Sequence, residues 1–238
     1  MHSSLSLPLA ALLLGSPLLL RAQTTTSTSA WKKSIGLSVT PTLNYRTLSG
    51  DDDIADYRDD IESSRLGFDA GTTLRFTRGE HLALDAGLSF ASRGYRVQGR
   101  PVNRVGVDPA YSPYVKSKYN YQFLSIPLQA TYAFGQGRLR GFVGGGVALD
   151  FLIGVQTEEI VDFQGTKSTT TSLETDGYLR GNLTPRLTAG LRYALTPRYS
   201  LELAPVVQYS LLGSRAPRPT VSEHLCSAGV NVGVYQQF

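Results

Sequence analysis

Three adjacent residues, Ser222-Glu223-His224, carry the side-chain types of a hydrolytic triad: a hydroxyl nucleophile, an imidazole base and a carboxylate to orient it. Their spacing works against that chemistry. Neighbouring residues on a strand point to opposite faces, so Glu223 cannot easily orient His224. The remaining histidines are His2, near the N-terminus, and His81, beside a tight turn. A second cluster, Asp51-Asp52-Asp53, Asp56, Asp59-Asp60 and Glu62, suggests weak divalent-cation binding. It lacks the glycine that a calcium loop needs at its sixth position, and a solvated loop is the better reading. Gly144-Gly145-Gly146 has the look of a phosphate loop, but no Lys-Ser/Thr follows it and no helical pattern opens. In a strand such glycines relieve curvature or make room for a bulky neighbour. Cys226 is the sole cysteine, which excludes an intrachain disulfide. Asn182-Leu183-Thr184 matches a glycosylation acceptor at chance frequency. No catalytic residue, metal site or cofactor site is therefore expected, and the chain does not read as an enzyme. The net charge is +4, but the basic residues are scattered with no interleaved aromatics, so nucleic acid is not an expected partner.

The elements that hold these residues follow an apolar leader. Residues 5–20 are almost wholly apolar, broken by Gly15 and Pro17, and lead into Arg21-Ala22-Gln23. This reads as a secretory signal peptide over 1–23, removed near Ala22 or Gln23, although no basic residue precedes the apolar run. A polar Thr/Ser spacer over 24–32 precedes a single domain over 33–238.

That domain alternates apolar and polar residues with period two. The first segment sets Ile35, Leu37, Val39, Leu43 and Tyr45 against Ser34, Gly36, Ser38, Thr40, Thr42 and Asn44. The third sets Leu82, Leu84, Ala86, Leu88 and Phe90 against Asp85, Gly87, Ser89 and Arg93. Eight such segments recur, the last carrying Ala228, Val230, Val232, Val234 and Phe238. The apolar faces bear no Asp, Glu, Lys or Arg. The opposite faces carry Asp69, Arg75, Asp85, Arg140, Asp150, Arg186, Arg192 and Glu202, four acids and four bases. A lipid-facing Arg or Lys near a bilayer midplane costs about 2–4 kcal/mol, whereas paired charges are tolerable in a closed interior. Thr77-Arg78-Gly79-Glu80, Gly135-Gln136-Gly137-Arg138 and Thr196-Pro197-Arg198 are short connections. They alternate with long polar ones over roughly 47–64, 95–118, 154–178 and 212–222. Aromatic residues sort beside them: Phe76, Tyr132, Phe134, Tyr193 and Tyr199 near the short turns, Tyr45, Phe90, Phe151 and Tyr209 toward the long loops. Cys226 falls in the outward register. The pattern predicts an all-β fold, an eight-stranded antiparallel up-and-down transmembrane β-barrel with short periplasmic turns, long extracellular loops and both termini periplasmic.

The chain resembles the PorT-like outer-membrane β-barrel families of Bacteroidetes. The resemblance rests on Gly87-Leu88-x-Phe90 with Arg93-Gly94-Tyr95, and on Tyr119-Asn120-Tyr121-Gln122-Phe123-Leu124-Ser125-Ile126-Pro127-Leu128. It also rests on Gly141-Phe142-Val143-Gly144-Gly145-Gly146, the leader ending in Ala22-Gln23, and the terminal aromatic Phe238. It covers essentially the whole mature chain, and its motifs speak to fold rather than activity. It implies residence in the bacterial outer membrane among lipid and lipopolysaccharide, with Phe238 as the signal read by the barrel-assembly machinery. A secretion role is attributed to some members.

Three roles compete. An eight-stranded barrel is just wide enough for its own side chains, which favours a structural or interaction protein whose extracellular loops contact surface or secretion-system partners. A narrow pore or transporter for small solutes is the alternative, and a lipid-modifying enzyme at the barrel rim a weaker one. A soluble lipocalin-like carrier would turn the apolar face inward, against the loop asymmetry and Phe238.

Overall fold

A computed structural model describes residues 31–50, 61–101, 114–163, 166–214 and 221–238. The leader over 1–23, most of the spacer and the acidic run over 51–60 lie outside the described residues.

Among the described residues the chain forms nine strands: β1 (Lys32–Gly50), β2 (Glu62–Arg78), β3 (Leu82–Pro101), β4 (Tyr114–Phe134), β5 (Leu139–Phe163), β6 (Thr166–Glu174), β7 (Gly181–Ala194), β8 (Tyr199–Tyr209) and β9 (Val221–Gln237). They form one antiparallel sheet in the order β4-β3-β2-β1-β9-β8-β7-β5-β6, and β4 also pairs with β5. The β4–β5 ladder runs from Tyr114↔Asp162 to Phe134↔Gly141. Eight strands therefore complete a cycle of pairings, and β6 branches from it. Along its first half β5 pairs with β7, from Leu139↔Tyr193 to Phe151↔Gly181. Along its second half it pairs with β6, from Val155↔Glu174 to Phe163↔Thr166.

Two expectations are corrected here. The sequence predicts eight strands, and the sheet has nine among the described residues. The stretch near 154–178, expected as a loop, continues β5 for a total of 25 residues and folds back as β6. Most of its residues are polar, as in Gln156-Thr157-Glu158-Glu159 and along 166–172, so it has strand propensity without the alternation that marks a half-buried strand. The other long connections shorten for the same reason. β1 reaches Gly50, β2 begins at Glu62, β3 reaches Pro101 and β4 begins at Tyr114.

The short turns need backbone that most residues avoid. Gly79 has φ of 66°, and Gly135 and Gly137 have φ of 91° and 83°, the left-handed region open to glycine at little steric cost. In the third short turn, Thr196 Oγ1 accepts hydrogen bonds from the backbone N–H of Arg198 (3.2 Å) and Tyr199 (3.0 Å). This is the side-chain mimicry of a turn that threonine supplies.

The ring has an apolar outside and a mostly polar inside. Leu37, Leu66, Leu88, Leu187, Leu203 and Val232 are exposed on the outer face. Thr40, Thr42, Asn44, Ser125, Thr131 and Thr184 are buried on the inner one. A bulge changes the phase of β5. Gln122 pairs with Gly154 and Phe123 with Leu152, leaving Ile153 as the extra residue. Even-numbered Ala148 and Asp150 are buried before it, and odd-numbered Val155 and Thr157 after it. Among the three consecutive glycines, a Cβ on Gly146 would strike the Leu128 carbonyl oxygen, so close strand approach accounts for it. A Cβ on Gly36 would strike the Tyr235 ring. Gly36→Val is therefore expected to displace that ring and lower unfolding free energy by about 1–3 kcal/mol, the usual cost of overpacking, as read from urea unfolding in lipid vesicles.

Candidate functional site

The interior of the ring is where the charges converge, and it is built in tiers. Each tier centres on one arginine held between two carboxylates. Nearest the short turns, Arg75 on β2 donates to Asp85 through Nε (2.7 Å) and Nη2 (2.8 Å), and to Glu202 on β8 through Nη1 (2.7 Å). Arg192 joins the same Glu202 at 3.1 Å. The Arg75 guanidinium lies 3.9 Å from the centroid of the Tyr235 ring, for which Gly36 leaves space.

In the middle tier Arg93 on β3 bridges Asp69 on β2 (3.0 Å) and Asp150 on β5 (2.7 Å). The carboxylates keep their other lone pairs occupied. Asp150 also accepts from Ser125 Oγ and from Thr184 Oγ1, the latter at 2.6 Å. Asp69 accepts from Gln208 Nε2 at 3.0 Å. In the upper tier Arg46 on β1 lies between Glu62 on β2 and Glu223 on β9, the second at 2.9 Å. It also donates to the Tyr95 hydroxyl at 2.8 Å. A guanidinium presents five donors in a fixed fork, so two flanking carboxylates can satisfy it where water is scarce.

Between and around the upper tiers sits an apolar cluster of Ala91, Tyr95, Tyr121, Phe123, Val155 and Leu225, all buried. Tyr95 stacks on Tyr119 with centroids 4.9 Å apart, and Tyr178 meets Tyr121 edge-on at 5.7 Å. A void of about 60 Å³ remains beside the two lower tiers, touching Asp69, Asp85, Gln129, Arg186 and Glu202. It has room for a few water molecules.

The eight sequence-selected charges fall in three places. Asp69, Arg75, Asp85, Asp150, Arg192 and Glu202 meet in the two lower tiers. Arg186 lines the void without a carboxylate within 4.0 Å among the described residues, and its Nε finds no hydrogen-bond partner there. Arg140 departs from expectation. It sits at the rim, pairing at 3.1 Å with Glu80 of the β2–β3 turn, because it is only the second residue of β5. Sequence reasoning missed Arg46, Glu62 and Glu223 as interior charges, since it placed Glu62 and Glu223 in or beside loops. The parity that puts Asn44 inside also puts Arg46 inside, and that signal was present. Arg93 shares the inward face of Asp85 but stands outside the balanced sum of eight. Tyr121 and Phe123 share the inward parity of Ser125 and were likewise legible.

The triad-like residues do not meet. Glu223 points inward to Arg46, while His224 stacks on Tyr209 (5.4 Å) with its Nδ1 2.9 Å from the Ser210 carbonyl oxygen. Cys226 lies beside Thr47 Oγ1 (3.8 Å) and is buried, so its outward register position is covered. On the outer face Tyr45, Tyr132, Phe134, Phe151, Tyr193, Tyr199, Tyr209 and Phe238 are exposed, and Phe76 and Phe90 are partly so. Trp31 and Phe68 add to these belts, with Phe68 6.0 Å from Phe90. No group of three or more metal-ligating side chains gathers among the described residues.

Compared with known proteins, residues 21–211 match the family described as outer membrane protein beta-barrel domain. No curated protein matches the chain. Among solved structures it is similar to Neisserial surface protein A, at TM-score 0.48 and 15% identity over 87% of this chain and 97% of that one. It is also similar to the outer membrane protein OprG from Pseudomonas aeruginosa, at TM-score 0.44 and 10% identity over 87% and 96%. A third is the outer membrane protease OmpT from Escherichia coli, at TM-score 0.42 and 9% identity over 90% and 100%.

Proposed function

Because this chain belongs to the outer membrane protein beta-barrel domain family, and so to the bacterial outer membrane, we propose that it is a closed eight-stranded transmembrane barrel. Its work is done at the long-loop end, as a structural and interaction protein rather than an enzyme or a pore. The observation that carries this reading is the contrast between the middle of the ring and that end. The interior is crossed by three arginine tiers and an aromatic cluster. Beyond it, β3, β4 and β5 run on as a wall, and β6 is exposed along nearly its whole length.

The outer face supports the membrane placement. On β5 the apolar stretch runs from Val143 to Ile153, which at about 3.3 Å per residue and a tilt near 40° spans roughly 25 Å. That matches the apolar band of about 25 Å on such barrels. Past Ile153 the strand continues to Phe163, about 25 Å further along a tilted axis, into aqueous surroundings where Lys118 and Glu158 pair at 2.9 Å. Ser34 stands opposite Gln237 beside the short turns, which supports a periplasmic position for both described ends.

The finer assignment to the PorT-like members, and with it a place beside secretion machinery, rests on the tyrosine-rich approach to Ile126-Pro127-Leu128. Cross-linking in intact outer membranes, followed by purification in detergent, tests the interaction role. Replacing the projecting β5–β6 hairpin over 156–173 with a short turn should leave the barrel folded, judged by its mobility on unheated gels, and remove the cross-linked partners. An unchanged partner set in the shortened protein would contradict a role for that wall.

A further inference from the structure

The short-turn end of the ring has features that the closed interior does not require. Its mouth encloses a cavity of about 250 Å³, floored by Arg75 and Tyr235. Lys32, Arg138, Arg140, Arg192 and Arg198 line it, and Glu80 is the acid among the lining residues. Two of these cations are compensated, Arg140 by Glu80 and Arg192 by Glu202. Among the described residues, Lys32, Arg138 and Arg198 have no carboxylate within ion-pair distance. They arrive from three separate segments: the start of β1, the β4–β5 turn and the β7–β8 turn. Three uncompensated charges round one concave mouth repel one another, and low-dielectric walls focus their field.

The frame that holds them is built from backbone hydrogen bonds. The Arg138 carbonyl accepts from the Ala194 N–H at 2.8 Å, tying two of the turns together. The Arg198 carbonyl accepts from the Gln237 N–H at 2.7 Å. The cations are thus presented on fixed turns rather than on a loose loop, which lowers the ordering cost of binding.

We infer that this mouth binds a small multivalent anion bearing phosphate or carboxylate groups. At about 250 Å³ the cavity falls just below the usual ligand-pocket range of about 300–1,000 Å³, which fits a compact di- or trianion and not a polymer. The Arg75 tier closes its inner end, so the anion docks there without passing through. The site lies at the opposite end from the long loops and does not depend on the interaction role proposed for them.

Calorimetric titration of the purified full chain in a nonionic detergent, with pyrophosphate and with citrate as probes, tests this. Saturable one-to-one binding that weakens with added salt is expected. Combining Lys32→Gln, Arg138→Gln and Arg198→Gln should weaken it at least about tenfold, equivalent to about 1.4 kcal/mol. Lys167→Gln, on β6, should leave it unchanged. Glu80→Gln changes the charge in the other direction and should tighten binding, which keeps the inference testable even where the triple variant folds poorly. A phospholipid headgroup offers the same chemistry as a free solute. In nanodiscs, weaker pyrophosphate binding when phosphatidylglycerol replaces phosphatidylcholine identifies a headgroup as occupant, and equal binding identifies a free solute. Both results keep the site. Absence of saturable binding to either probe at millimolar concentration, or equal binding by wild type and the triple variant, would overturn it.

Discussion

Replacing Arg93 with methionine is expected to destabilise the folded protein by about 3–5 kcal/mol, the range for breaking a buried ion pair from one side. The guanidinium is buried and bridges Asp69 and Asp150 at 3.0 and 2.7 Å. Its removal leaves two carboxylates facing each other across the interior with their counter-charge gone. The hydrogen bonds from Gln208, Ser125 and Thr184 offset only part of that loss. Adding Asp69→Asn and Asp150→Asn to the same chain should restore most of the stability, because the penalty comes from the orphaned charges rather than from lost attraction. Urea unfolding in lipid vesicles, compared across the single and triple variants, reads the effect. A triple variant no more stable than Arg93→Met alone would show that the tier is not held by charge compensation.

The second large effect concerns solvent. Leu187 on β7 and Leu173 on β6 have similar exposure, 64% and 68%. In water both would tolerate arginine with changes within about 0.5 kcal/mol, as surface positions do. Leu187 lies midway along the outer face of the ring, and Leu187→Arg is expected to cost about 2–4 kcal/mol, the penalty for a cation near the bilayer midplane. Leu173→Arg, on the projecting wall, should stay near zero. Equal effects at the two positions, measured by the same vesicle unfolding, would place both in one medium and remove the membrane from the explanation.

The outward face was legible from the sequence because lipid imposes a strict rule on it. Ile35, Leu37 and Val39 alternate with Ser34, Gly36 and Ser38, and no charge interrupts the apolar side. Where the surroundings are aqueous on both sides that rule lapses. The stretch Thr166–Glu174 therefore hid a strand, and β1 to β5 run past the ends that alternation suggested. The interior was legible in part. Asp69, Asp85, Asp150 and Glu202 declare themselves by standing opposite apolar neighbours, but which arginine each one meets depends on the ring. Arg75 and Glu202 are 127 positions apart in the chain, and no local pattern joins them. Arg140 shares the parity of the interior charges yet lies at the rim, because parity gives the face of a strand and not the height along it. The Ile153 bulge then reverses parity on β5, bringing Val155 inside where simple alternation would turn it out.

Planar-bilayer recording of the purified protein bears most directly on whether the ring is closed. With Arg75, Arg93 and Arg46 each held between two carboxylates, and Tyr95, Tyr121 and Phe123 packed beside the upper tiers, wild-type protein should insert without conductance steps above background. Arg93→Ala, which shortens the side chain spanning the middle tier, should at most produce small and irregular openings. Stable single-channel steps from the wild-type protein, comparable in size to those of general porins, would contradict a side-chain-filled interior and return the chain to the transport alternative.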